Sequence, residues 1–144
     1  KLEGLLTNSN QLTVKIDLTS VNTSIDIRDK RMQEHLFETQ KFATATITAD
    51  VSKIKYSSLK KGESIQTNAP FTLNLHGVEL ALDADVIVTK KADKTLQIIT
   101  TKPILLNASS FGLTKGIETL KGLAGLNAIA SNIPVTIALT FKQN

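Results

Sequence analysis

Apolar and polar residues alternate along most of this chain. Leu12, Val14, Ile16 and Leu18 are separated by Thr13, Lys15 and Asp17, the period of two that gives a strand one buried and one wet face. Ala43, Ala45, Ile47, Ala49 and Val51 alternate with Thr44, Thr46, Thr48 and Asp50. The small residues on that inward face point to a place where bulk is left out. The same period predicts strands over 71–75, 78–88, 96–100, 104–108 and 135–141. Turn signals fall at Lys61-Gly62, Asn68 to Pro70, Lys90 to Lys94 and Ile133-Pro134, since glycine, proline and clustered polar residues break extended runs.

Two stretches read with the helical period instead. In 27–37, Met32, Leu36 and Phe37 form an apolar stripe; in 113–124, Leu113, Ile117, Leu120 and Ala124 do so, with Lys115, Glu118 and Lys121 facing away. Many strands and two short amphipathic helices predict one all-β domain over 1–144. The expected assembly is an antiparallel barrel with one helix across each end, because closure removes exposed strand edges. In that barrel Val14, Ile16, Ile47, Phe71, Leu73 and Leu75 share the inward phase, and Met32, Phe37, Phe111 and Leu113 close the ends. The helix at 113–124, with Phe111, is expected to act as a gate hinged at Gly112, Gly122 and Gly125. His76 shares the wet phase with Thr72 and Asn74 and is expected at a loop-side surface.

Composition narrows the chemistry. The 144 residues hold no cysteine, which excludes disulfides, thiolate metal sites and a cysteine nucleophile together. No apolar run approaches the roughly 18–20 residues of a membrane helix. Lys1-Leu2-Glu3-Gly4 is not the start of a signal peptide, so any such peptide is expected to have been removed or never to have existed. The net charge is +4, but Lys53, Lys55, Lys60, Lys61, Lys90, Lys91, Lys94 and Lys102 read as spread along the chain. With no tryptophan and one tyrosine, a stacking surface for nucleic acid is not expected; a mild attraction to anionic membranes is compatible with the charge. His35 and His76 lack metal-ligand spacing, even with Asp29, and no serine has the flanking glycines of a nucleophile elbow. No catalytic residue, metal site or cofactor is therefore expected. Asp83 and Asp85 read as a solvated strand face, and Arg28-Asp29 as a structural tie at a helix start.

Several segments, in the right order, carry a family likeness. Ser20-Val21-Asn22-Thr23, Arg28-Asp29, Leu36-Phe37 and the run Lys41 to Thr46 are followed by Leu73-Asn74-Leu75-His76-Gly77-Val78 and Ser110-Phe111-Gly112-Leu113. Together they resemble the YceI-like family of bacterial polyisoprenoid-binding proteins, with Ala43 in place of the family's usual proline and Ser110 in place of its aspartate. The resemblance implies an extended lipocalin-like barrel of about eight strands, with one or two strands ahead of Lys1. It also implies non-catalytic carriage or sequestration of an isoprenoid or quinone-like lipid, and a periplasmic or secreted location. Val14, Ile16, Met32, Phe37, Ile47, Phe71, Leu73, Leu75, Phe111 and Leu113 become the candidate ligand-binding residues. A homodimer and a transient membrane contact are the further partner readings.

The residues themselves leave two interiors open, because eight strands can be filled by side chains alone. A stress-response or interaction domain with a solid core and no ligand is the alternative, and a small lipid-acting hydrolase or isomerase using His35, His76 and a carboxylate is a second one.

Overall fold

The computed structural model describes residues 1–92 and 94–142. Seven strands form one antiparallel sheet in the order β1-β2-β3-β4-β5-β6-β9: β1 (Leu2–Leu6), β2 (Gln11–Asp17), β3 (Thr44–Asp50), β4 (Ser64–Leu75), β5 (Val78–Ala92), β6 (Thr95–Thr100) and β9 (Ala138–Lys142). A second, two-stranded sheet pairs β7 (Ile104–Asn107) with β8 (Asn132–Val135). The large sheet curls into a nearly closed barrel. Six antiparallel steps leave β1 and β9 running the same way, so an odd strand count forces any closing seam to be parallel. Gly4 of β1 lies beside Phe141 of β9, 3.9 Å from where its Cβ would stand to the Phe141 Cβ, yet no ladder joins these strands among the described residues.

The core follows the period-two pattern. Leu12 and Val14 on β2, Ala45, Ile47 and Ala49 on β3, Leu73 and Leu75 on β4, and Ala84, Val86 and Val88 on β5 are all buried. Pairing is in phase, with Val14 opposite Ile47, Ile47 opposite Leu73 and Leu73 opposite Leu80.

β4 and β5 form a long hairpin closed by His76-Gly77, whose φ values of 54° and 74° are those of the two-residue turn that matches strand twist. The turn expected at Asn68 to Pro70 does not occur; these residues lie within β4. Pro70 is tolerated because β3 pairs with β4 only from Thr72 to Asn74, so no ladder on that side needs its missing amide. Pro134 likewise lies inside β8, in a sheet of only two strands, where proline costs least.

β6 with β9 and β7 with β8 are two parts of one antiparallel ribbon. Between Ile99 opposite Ala138 and Ile104 opposite Val135, one strand has two more residues than the other. Thr100 patches the break: its amide donates to the Ile137 carbonyl (3.0 Å), and the Ile137 amide donates to its hydroxyl (3.0 Å). That hydroxyl does the work of a carbonyl, which is why a polar side chain is tolerated in the core there.

Both helices cover the same end of the barrel, not one end each. α1 (Asp26–Arg31) runs into a widened turn over Met32–Leu36, and α2 (Thr114–Ala124) packs on that turn. Gly116 makes this contact: a Cβ there would stand 2.5 Å from the His35 carbonyl oxygen. α2 ends on Gly125 at φ 64°, with the Leu126 amide donating to the Lys121 carbonyl (3.0 Å), a glycine-terminated cap. Asp29 accepts from the Thr23 amide and hydroxyl, and Arg28 donates to the Thr23 hydroxyl and carbonyl, so the Arg28-Asp29 pair is a structural tie.

Candidate functional site

Apolar residues enclose a chain of small cavities along the barrel axis. One of about 170 Å³ lies at the helix-covered end, lined by Ile16, Leu18, Phe37, Ala45, Leu73, Leu75, Ile104, Leu106 and Val135, with Ile47, Phe71 and Ile137 at its floor. The last three also line the next cavity, of about 70 Å³, with Leu12, Val14, Ala49, Ala84, Val86, Ile98 and Leu139; Thr100 is its one polar residue. A void of about 20 Å³ follows, among Leu6, Tyr56, Leu96 and Phe141. Above the first cavity, a surface groove of about 510 Å³ runs between α1, α2 and residues 126–133, lined by Ile25, Ile27, Met32, Leu120, Leu126, Ile129 and Ile133, with Arg28 and Arg31 on its rim.

One row of side chains links all four spaces. Ile133 lines the groove, Val135 the first cavity, Ile137 the first and second, Leu139 the second and Phe141 the last. At about 3.3 Å per residue this row is about 26 Å long.

Of the residues singled out from sequence, Ile16, Phe37, Ile47, Phe71, Leu73 and Leu75 come together around the first cavity, and Val14 lines the second. Met32 lines the groove, not the interior. Phe111 and Leu113 line none of the four spaces; both are buried at the foot of α2, Phe111 only 1% exposed. They anchor the helix. Gly112 takes a positive φ at the end of the short turn Ala108–Phe111 and Gly125 does so as the cap of α2; the foot of α2 is buried, whereas Leu123 in its last turn and Leu126 just beyond it are exposed. Missed from sequence were Ile137, Val135 and Ala45, although the first two share the apolar phase that marked the last strand.

His76 is no surface residue either. Its side chain is 13% exposed; Nε2 lies 2.7 Å from Glu38 Oε2 and Nδ1 lies 3.2 Å from the Phe111 carbonyl. Its ring packs against Phe42 at 4.5 Å between centroids. These contacts hold the β4–β5 turn to the foot of α2 and the loop after α1. The hydrogen bond from His76, aided by the nearby Lys41, holds the Glu38 carboxyl below its ordinary pKa. His35 stands apart on the outer face, 3.8 Å from Glu34, so the two histidines do not converge. No cluster of three metal-ligating side chains occurs among the described residues.

The lysines are where sequence reading and fold differ most. Lys53, Lys55, Lys60, Lys61, Lys90, Lys91 and Lys94, which read as spread along the chain, sit in the loop after β3 and the β5–β6 hairpin, both at the barrel end opposite the helices. Period and spacing carry no information about which loops meet; strand order does.

The family model described as the YceI-like domain matches residues 2–141. No curated protein sequence matches the chain. Among solved structures, a polyisoprenoid binding domain from Saccharophagus degradans, implicated in plant cell wall breakdown, has 35% identity and a TM-score of 0.93, over 98% of this chain and 81% of that one. The YCEI protein of Campylobacter jejuni, at 18% identity and a TM-score of 0.70, is covered over 82% of its chain by 100% of this one. BcnA of Burkholderia cenocepacia, at 13% identity and a TM-score of 0.66, is covered over 83% by 99% of this chain. The last two share the fold.

Proposed function

The chain belongs to the YceI-like family, and from that premise we propose that it binds a long, apolar lipid of the polyisoprenoid or isoprenoid-quinone class without chemical change. The observation that carries this is the unbroken apolar row from Ile133 to Phe141 through groove and interior. Such a row suits a ligand whose affinity comes from apolar area, at about 25 cal/mol per Å² removed from water. The polyisoprenoid binding of the Saccharophagus domain supports the same ligand class.

The groove is the entrance in this reading. Its lower wall, Ile133, continues directly into Val135 of the first cavity. The interior spaces are each smaller than the roughly 300 Å³ at which ligand pockets begin. A bound chain therefore displaces side chains at the shared floor, chiefly Ile47, Phe71 and Ile137. A carrier or sequestering role, in the periplasm or after secretion, belongs to the proposal and is supported by the family resemblance.

Native mass spectrometry of the purified protein, before and after incubation with a polyprenol or a long-chain quinone, tests this. The expected result is a one-to-one non-covalent adduct. Apoprotein alone, before and after incubation, overturns the proposal. It would favour the reading that the small cavities also permit, an interaction domain with a filled core.

A further inference from the structure

The helix-free end of the barrel has a different chemistry. Its loops bring together Lys53, Lys55, Lys60, Lys61, Lys90, Lys91, Lys94 and Lys142. The same stretches of sequence hold three carboxylates, Asp50, Glu63 and Asp93, so their excess of positive charge is greater than the +4 of the whole chain. Everything else in the chain holds more carboxylates than cations. None of the eight lysines is in an ion pair among the described residues, and all but Lys90 are exposed.

These loops form one connected surface. The Val51 amide donates to the Asn10 carbonyl (2.9 Å), and the Tyr56 hydroxyl donates to the Asn10 side chain. Gly62 and Lys90 join the loop after β3 to the end of β5, the Gly62 amide donating to the Lys90 carbonyl (2.7 Å) and the Lys90 amide to the Glu63 carbonyl (3.0 Å). Thr95 and Lys142 are opposite one another in the β6–β9 ladder. Below this surface Leu6, Tyr56, Leu96 and Phe141 pack tightly around the smallest void, so the charge does not serve a ligand headgroup inside the barrel.

From this we propose that the lysine end docks the protein on an anionic lipid bilayer. Clusters of four to eight basic residues are what such surfaces attract. All eight cations are lysines; both arginines of the chain, Arg28 and Arg31, are at the other end. Lysine is a hydrated point charge that binds diffusely, whereas arginine makes the bidentate contacts of specific recognition. Among the described residues, none of the large exposed apolar side chains lies in 7–10, 51–63 or 90–95, so the contact is electrostatic and does not penetrate. The loops also present no exposed aromatic ring on which a nucleobase would stack. Choosing a bilayer over another polyanion rests in part on the lipid-ligand reading above. Docked in this way, the groove faces away from the bilayer, which makes the lysine end a tether and not a loading site.

Co-sedimentation with phosphatidylcholine vesicles, alone and mixed with an equal part of phosphatidylglycerol, tests the proposal. Binding is expected only to the mixed vesicles and should fall steeply with added salt. Each lysine neutralised should weaken it about fivefold, so Lys60→Gln with Lys61→Gln should cost about 25-fold. Lys30→Gln with Lys115→Gln, at the helix-covered end, should leave it unchanged. Equal binding to pure phosphatidylcholine, insensitivity to the first pair, loss with the second, or preferential binding of a single-stranded oligonucleotide in direct competition each overturns it. Native mass spectra of the same protein after incubation with the polyprenol or quinone separate the two proposals. A lipid adduct without vesicle binding sinks the tether alone, and vesicle binding without an adduct sinks the ligand reading alone.

Discussion

At the lysine end, three loops bond to one another above Leu6, Tyr56, Leu96 and Phe141, whose side chains leave a void of only about 20 Å³. At the helix-covered end, the interior keeps a cavity of about 170 Å³ and is closed by added parts: α2 pressed backbone to backbone on the turn at Met32–Leu36, and His76 tying the β4–β5 turn to Glu38 and Phe111. One end is sealed by packing of side chains, which is cooperative and hard to open locally. The other is covered by elements that bury only part of their apolar surface, and Ile25, Ile27, Leu123 and Leu126 stay exposed around the groove. Segments with few buried contacts are those that open most readily. The contrast teaches that one curled sheet can be sealed by packing at one end and left able to open at the other.

Truncation should separate the two ends most clearly. Leu96→Ala, at a side chain 1% exposed, should cost about 3 kcal/mol by urea denaturation. Leu126→Ala, at the groove rim, should stay within about 0.5 kcal/mol. Equal losses would mean that the groove is not an open surface. Next in size is Gly116→Ala, whose new methyl group would stand 2.5 Å from the His35 carbonyl oxygen and 2.9 Å from the Leu36 Cα. Both neighbours are backbone and cannot turn aside, so α2 must lift, at about 1–3 kcal/mol. Exchange of amide hydrogens should speed up in α2 and not in β6; a uniform change would place the two ends in one cooperative unit.

A smaller stability effect with a large functional one is expected for Ile137→Phe, which adds bulk where the two larger cavities meet. Thermal stability should change by about 1 kcal/mol or less, while the lipid adduct disappears from native mass spectra. A loss of several kcal/mol would show that no room exists there. Least of all, Glu38→Gln should loosen the His76 tie. The Glu38 carboxyl is held below its ordinary value of 4.5, first by the His76 hydrogen bond. The tie therefore stabilises the fold above that value and is lost as the pH falls through the lower folded one. The stability difference between Glu38→Gln and the parent protein should be present near neutral pH and vanish in acid. A difference that persists unchanged in acid would mean that the Glu38 charge has no part in the tie.

The barrel was legible because its strands are buried on one face only, and residues such as Val14, Ile47 and Leu73 announce that face by their spacing. The inward row on the last strand was equally visible at Val135, Ile137, Leu139 and Phe141. β1 escaped detection because Leu2, Glu3, Gly4, Leu5 and Leu6 do not alternate, and only Leu6 is buried. Asn68 to Pro70 read as a turn because local chemistry favours one, whereas pairing with Ala84 and its neighbours in β5 overrode it. The role of His76 was hidden for a further reason. Its partners Glu38 and Phe111 are far away in sequence, and phase says nothing of what a turn residue meets. The gathering of lysines was illegible on the same grounds, being a property of strand order alone.

The row from Ile133 to Phe141 has a consequence for how such a gene can vary. A strand inverts its faces with every one-residue slip. Losing a single codon near Thr136 would turn Pro134 and its alternate neighbours toward the interior and expose the apolar residues that line it. Losing two would shorten the wall and keep its lining. The break between the two parts of this ribbon already obeys that arithmetic, with four residues from Thr100 to Pro103 facing two at Thr136 and Ile137. Insertions and deletions tolerated along this wall should therefore come in even numbers.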